Sequence, residues 1–275
     1  MSDEFEVYER MKALGVPELL ELAVGDPEAP ETWPAIQELH SRGETAIFDA
    51  AMALTRHAAP RHRAAGASIL GQFDYKTHIH AAECIATLKT MLADADAEVL
   101  NAAAHGLGHR DGHDACEDLL GLVKHTASSV RYAVVRGLSA SHDPRSTIAL
   151  VKLTADTDKD VRDWATFGLG PLRRGNEPVL LAALVERLDD EDEEVRMEAL
   201  GGLAIRKHPR ALVALKAILT GSENEVFAGH LEAAEELADP VLFPLLEALK
   251  SNTSADEDGY WDNCLNRATE ACRPK

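Results

Sequence analysis

One phrase recurs through this 275-residue chain and limits what the chain can fold into. It runs from Glu98-Val99-Leu100-Asn101 to Leu107-Gly108, then from Ser129-Val130-Arg131 to Leu138-Ser139 and from Asp160-Val161-Arg162 to Leu169-Gly170. It returns as Glu194-Val195-Arg196 to Leu203-Ala204 and as Glu225-Val226-Phe227 to Ala234. The anchoring valines 99, 130, 161, 195 and 226 stand 31, 31, 34 and 31 residues apart. A worn copy, His62-Arg63-Ala64 to Leu70-Gly71, precedes them. A period of this length marks stacked supersecondary units, each too small to bury its apolar face without its neighbours.

A second series keeps the same beat. Pro144, Pro178, Pro209 and Pro240 follow one another at 34, 31 and 31 residues. Proline lacks an N–H and has a preset φ, so it suits the first position of a helix. The residues just before are Asp143, Glu177, His208 and Asp239, and the two aspartates are ready N-caps. Each proline therefore opens a first helix, as in Val241-Leu242, Leu245-Leu246 and Leu249. The valine phrase follows about one helix and one turn later, with Asp96, Asp158, Asp192 and Glu223 three residues before the valine as cap or first-turn acids. Within the phrase the apolar residues fall at the valine, four and eight residues on, which is a helical stripe.

Two helices per unit, joined by short turns, make this an all-α chain of about seven helix pairs in a single domain spanning 1–275. Residues 1–44 form an N-terminal cap region, 45–250 the regular repeats, and 251–275 an acidic loop (Asp256-Glu257-Asp258-Gly259) with a closing helix. The opening pair contains a helix over 31–42, and the closing helix covers 260–271.

The pattern Asp-x-x-Val-Arg-x-x-Ala-x-x-x-Leu-Gly, clearest over residues 158–170, resembles the HEAT repeat, in the short version of bilin lyases and bacterial scaffold proteins. The likeness covers roughly residues 45–250. It implies a right-handed, curved α-α superhelix whose second helices line the concave face. It carries little about function, since such repeats serve many roles. Two HEAT-like enzyme families make specific demands. Deoxyhypusine hydroxylase holds iron with His-Glu pairs directly after Val-Arg; the matching positions here are Asn101-Ala102, Tyr132-Ala133, Asp163-Trp164, Met197-Glu198 and Ala228-Gly229. HEAT-like DNA glycosylases need a basic groove, and none of the four stretches 1–50, 51–185, 186–220 and 221–275 has a basic excess.

Charge points to the class of partner. With 47 acids and 28 bases the chain carries −19, which repels a phosphate backbone and excludes a nucleic-acid partner. Residues 1–50 hold 12 acids against 3 bases, and residues 221–275 hold 12 against 4, whereas 51–185 has 15 of each. Acidic ends keep the caps of a solenoid soluble; they also steer a basic partner toward the body. The first residues lack a basic and an apolar segment, so no signal peptide is expected. No apolar run approaches the roughly 20 residues of a spanning helix. The four cysteines, 84, 116, 264 and 272, are scattered. A cytoplasmic protein without membrane contact fits these features.

If the valine faces the core, the residues two and six further on turn toward the concave face. That places Asn101 and His105, Tyr132 and Arg136, Asp163 and Phe167, and Met197 with Gly201 in one partner-binding row, with Trp164 on its margin. Aromatic, Arg and Met side chains are the currency of interface hot spots; the competing role for Trp164 and Phe167 is core filling. His105 and His109, one turn apart, with Asp111, His113 and Asp114 beyond, form the one tempting metal pattern. The acids read better as an inter-repeat turn, so no metal is expected. Twelve histidines, nine of them between 51 and 185, would make the body cationic near pH 6 if they titrate normally. Arg131, Arg162 and Arg196 form a ladder to the turn acids of the neighbouring unit, and the acidic run 189–194 is a solvated turn that caps a helix. No GxSxG, His-Glu-x-x-His or phosphate loop occurs, so no catalytic residue and no cofactor is expected. The expected function is a non-enzymatic protein-binding scaffold, an acidic inhibitor or immunity-type protein capturing a basic partner. The resemblance leaves a bilin-lyase-like or other HEAT enzyme subunit as the alternative.

Overall fold

The computed structural model describes residues 3–76, 78–110, 115–221, 226–250 and 259–274. Among them are seventeen α-helices, one 3-10 turn and no strand. In chain order they make a leading helix and eight pairs, against the seven or so expected. The chain divides into two compact units, 1–149 and 150–275.

The first unit begins with α1 (Asp3–Ala13). Four pairs follow: α2 (Val16–Ala23) with α3 (Thr32–Arg42), α4 (Thr45–Leu54) with α5 (Pro60–Gln72), α6 (Ala81–Met91) with α7 (Ala97–His109), and α8 (Cys116–Leu120) with α9 (Ser128–Ser139). Helix α10 (Pro144–Leu153) runs across the division. The second unit holds α11 (Lys159–Leu169), α12 (Pro178–Arg187) with α13 (Glu193–Ile205), and α14 (Pro209–Thr220) with α15 (Ala228–Leu237). It ends with the turn Pro240–Leu242 leading into α16 (Phe243–Lys250), and α17 (Tyr260–Ala271).

Both series of the repeat do the work their chemistry predicts. The four prolines open α10, α12, α14 and the turn before α16. Asp143 Oδ1 accepts from Arg145 N at 2.8 Å and Asp239 Oδ1 from Val241 N at 2.9 Å, while Glu177 makes no side-chain cap. Asp96, Asp158 and Asp192 are the N-caps of α7, α11 and α13, each accepting from two backbone N–H groups of the first turn; Glu223 lies outside the described residues. Val99-Ala103-Leu107, Val130-Val134-Leu138, Val161-Ala165-Leu169 and Val195-Ala199-Leu203 are all fully buried. In the first unit α3, α5, α7 and α9 pack side by side as one layer, as do α11, α13, α15 and α17 in the second. The first helices lie behind them.

Two places depart from the regular plan. Helix α8 has only five residues, with Gly121 at its C-cap. In the fifth copy Val226 stands outside the helix: Phe227 is the N-cap, and His230 Nδ1 accepts its N–H at 3.2 Å.

The arginine beside the valine has two tasks. Its guanidinium donates to the carbonyls five and four residues before the valine: Arg131 to His125 and Thr126, Arg162 to Asp156 and Thr157, Arg196 to Asp190 and Glu191. It also reaches the next turn, as in Arg162 to Asp190 and Glu191 at 3.2 Å, and Arg63 of the worn copy to Asp94 at 2.8 Å. Each receiving aspartate also accepts from the backbone of the capping aspartate two residues on. Arg162 is 6% exposed, so it is a paired, hydrogen-bonded buried cation and structural in role.

Glycines on the second helices let backbones touch. A Cβ on Gly71 would sit 2.7 Å from Gly106 Cα, and one on Gly202 would sit 2.5 Å from Gly170 Cα. Such distances admit no side chain. Arg110 and Arg206, just past α7 and α13, close the preceding second helix of their own unit. Arg110 donates to the carbonyls of Leu70 and Phe73, and Arg206 to those of Leu169, Gly170, Arg173 and Gly175. They satisfy carbonyls that a helix end leaves orphaned, and place a cation at the negative end of its dipole.

Candidate functional site

The residues two and six past the valine leave the second helices on the side away from the buried stripe. In the first unit they meet. Asn101 and His105 from α7, with Tyr132 and Arg136 from α9, line a hollow of about 380 Å³. Its wall is completed by Trp33 from α3, Ser68 and Gln72 from α5, and His109 from the end of α7. The close approach of Gly71 and Gly106 lies at this spot, so four consecutive second helices share one surface. Trp33 is 46% exposed, while Asn101, His105, Tyr132 and Arg136 are half-buried.

Asn101 Nδ2 donates to Ser129 O at 2.8 Å, tying α7 to the turn before α9. The rings of His105 and Tyr132 lie 5.6 Å apart. Burial first, then the charges of Arg136 and His109, push His105 down to about 4. His109 is lowered by the same burial and by Arg136. Both imidazoles are therefore neutral at pH 7, and Arg136 is the cation in the lining. Buried His40, at about 4, and His230 are lowered too, chiefly by burial. The expectation of a body made cationic near pH 6 thus fails at His105 and His109, the two of these four that lie between residues 51 and 185, because their burial penalises the charged form.

Ser68, Gln72, His109 and Trp33 were not in the predicted row. The register holds the signal for three of them. Ser68 is six and Gln72 ten residues past His62 of the worn copy, and His109 is ten past Val99. Trp33 belongs to no copy of the phrase, and only the stacking of α3 on α5 brings it here. A second hollow of about 420 Å³ shares Gly71, Gln72 and His109 with the first and extends to Tyr75, His78, Ile85 and Arg110. Of the metal pattern, Asp111, His113 and Asp114 lie outside the described residues. Among the described residues no three His, Cys, Asp or Glu gather as a metal site would need.

In the second unit the same register gives Asp163 and Phe167 on α11 and Met197 on α13. Phe167 and Trp164 are half-buried and meet edge to face at 5.5 Å. Met197 lies on Gly229 of α15, where any Cβ would run into its sulfur. Beside it, a Cβ on Gly201 would meet nothing within 4 Å, so the face is open there. Burial, then Glu194, Asp192 and Asp160, raise Asp163 to about 6, and its buried Oδ1 has no hydrogen-bond partner. Glu198, three residues past Val195 and outside the predicted row, rises to about 7 through burial, then Asp163 and Glu194. This face is carboxylate-rich. A hollow of about 510 Å³ in this unit is lined by Leu188, Arg196, Leu200, Arg210, Val213 and Ile218 among others and contains none of the predicted residues.

Comparison with known proteins puts these faces in context. The family model for HEAT repeats matches residues 85–170 and 149–238. No curated protein matches the chain in sequence. Among solved structures, the Escherichia coli protein YibA is similar at a TM-score of 0.78 and 26% identity, over 98% of this chain and 97% of that one. Importin beta shares the fold at 0.68 and 16% identity, over 97% of this chain and 42% of importin beta. An engineered protein does so at 0.57 and 22% identity, over 96% and 80%.

Proposed function

The chain belongs to the HEAT-repeat family, and on that premise we propose that it is a non-enzymatic scaffold that docks another protein on its second helices. The observation that carries this is the hollow of the first unit. Four consecutive second helices contribute to it, and it gathers Asn101, His105, Tyr132 and Arg136 with Trp33. Aromatic and Arg side chains in one half-buried patch are the residues that dominate binding energy in protein interfaces. Asp163, Phe167 and Met197 form a separate docking patch on the second unit's own face.

The partner's body is basic. The net charge of −19 favours it, and complementary fields speed encounter more than they tighten the final complex. An inhibitor or immunity-type protein that captures a basic target works this way. Such a protein acts in the cytoplasm, where the buried thiols of Cys84, Cys116, Cys264 and Cys272 stay reduced. No helix among the described residues is long and apolar enough to cross a membrane.

Co-purification from native lysate tests the role, with the wild-type chain and the double variant Tyr132→Ala/Arg136→Ala compared at equal helicity. The expected result is a basic protein retained by the wild type, eluted by salt and lost from the variant. A partner held equally by both forms would move the docking surface elsewhere.

A further inference from the structure

A hydrogen bond that ties two second helices together in the first unit has an incomplete counterpart in the second. Asn101, two residues past the valine of α7, donates its Nδ2 amide to the carbonyl of Ser129 at 2.8 Å. Ser129 stands just before the next valine, Val130, so the bond holds α7 to the start of α9. On α11 and α13 the same two positions are Asp163, two residues past Val161, and Glu194, just before Val195. Both helix pairs pack side by side. An aspartate has nearly the shape of an asparagine, but its carboxylate has no proton to donate. Asp163 Oδ1 is buried and makes no hydrogen bond.

A buried acceptor left unpaired is costly, and the groups around Asp163 do not relieve it. Burial is the main influence against its carboxylate, followed by Glu194 on α13, Asp192 in the turn before it and Asp160 on α11 itself. Lys159 acts the other way and is the weakest of these influences. Its ammonium lies 3.5 Å from Asp160 and 3.9 Å from Asp192. Glu198 on α13 is in turn raised by Asp163. The arginines of the packed elements are engaged: Arg162 with Asp190 and Glu191, Arg196 with the carbonyls of the same two residues. On α12, Glu186 pairs with Arg187, which also holds Asp190 and the Thr154 carbonyl. Protonation resolves both difficulties together, since it removes the charge and turns one oxygen into a donor.

We propose that Asp163 is a proton-operated latch between α11 and α13: as a carboxylic acid it donates to the carbonyl of Glu194, as Asn101 does to that of Ser129, and as a carboxylate it lets go. The tie in the first unit is permanent, because an amide does not titrate. Its counterpart in the second unit closes in acid and opens as pH rises through about 6, the native value of Asp163. The latch is internal to the repeats, so it stands or falls independently of any docking on this face.

Crystals of the wild-type chain grown near pH 5 and near pH 8 test the bond itself. An Asp163 oxygen is expected within about 3 Å of Glu194 O in acid and beyond hydrogen-bond reach in base. Asp163→Asn supplies a donor that does not titrate, and its amide should hold Glu194 O at both pH values. Native-state hydrogen exchange should then show the amides of α11 protected about threefold or more above wild type near pH 8, roughly the worth of one hydrogen bond. Near pH 5 the two forms should agree within about twofold. An oxygen that stays away from Glu194 O in acid overturns the latch, and the wild type alone decides this if the variant does not fold. So does an Asp163→Asn amide turned to solvent, even with higher protection, since loss of a buried charge would explain that gain. Protection near pH 8 no higher than wild type overturns it as well.

Discussion

The two units are built from one phrase, and their second-helix faces carry opposite chemistry. In both, the valine and the residues four and eight further on are buried without exception in the four copies from Val99 to Leu203. In both, an aspartate caps a second helix and an arginine grips the turn before it. Two and six residues past the valine the resemblance ends. The first unit has Asn101, His105, Tyr132 and Arg136, with imidazoles pushed down by burial and a neighbouring cation. The second has Asp163, Phe167 and Met197 with Glu198 at their side, and carboxyl groups pushed up by burial and neighbouring acids. The buried stripe answers to packing, which is the same problem in every repeat. The outer face is less bound by packing, although Asn101 and Met197 still make contacts to the neighbouring repeat, so partner choice can be written there.

Disturbing the stripe should have the largest effect and should not distinguish the units. Leu138→Ala and Leu203→Ala, both at fully buried positions, are each expected to lower stability by about 2–5 kcal/mol in urea unfolding. A loss under about 1 kcal/mol at either site would mean that the two stripes are not equivalent.

The adjacent glycines of α13 give a smaller, two-signed effect. Gly202→Ala drives a Cβ to 2.5 Å from Gly170 Cα, and a loss of about 1–3 kcal/mol is expected. Gly201→Ala meets nothing within 4 Å, and better helix propensity should add up to about 1 kcal/mol. Melting curves of the two variants moving in the same direction would contradict the close approach seen at Gly202.

The smallest effect, and the one that separates the units most sharply, is the response to pH. His40 and His105 have native values of about 4, below the ordinary 6.5. The native first unit therefore binds fewer protons than the unfolded chain and loses stability as pH falls from about 6.5 toward about 4. Asp163 and Glu198 lie at about 6 and about 7, above their ordinary 3.8 and 4.5. The native second unit binds more protons, so that contribution is present in acid and lost as pH rises through about 6 to 7. Hydrogen exchange should show protection weakening with acid in the first unit and with base in the second. Glu198→Gln should restore about 1 kcal/mol to the second unit near pH 8, a figure reduced for partial exposure. Protection that drifts the same way in both units would break the comparison.

Much of this was legible in the sequence because the repeat fixes local chemistry. A proline after an aspartate opens a helix wherever it stands, so α10 and the turn at Pro240 were placed by Asp143 and Asp239. The 3.6 period alone brought Asn101, His105, Tyr132 and Arg136 to one side. What escaped depends on the neighbouring repeat. Trp33 reaches the hollow only because α3 stacks on α5, and the carbonyls held by Arg110 and Arg206 belong to the second helix before, some 30 to 40 residues back. Met197 sits as it does because position 229 lacks a side chain. Burial of the histidines, and with it their neutrality, likewise follows from stacking and not from residue type.

Site-specific photo-crosslinking in the native host tests the central claim most directly. A benzophenone side chain replaces Tyr132 in the hollow or Val179 on a first helix, where the native side chain is 48% exposed. A single protein adduct formed from position 132 and absent from position 179 is the predicted result. Adducts formed equally from both positions, or from 179 alone, would contradict a docking surface on the second helices.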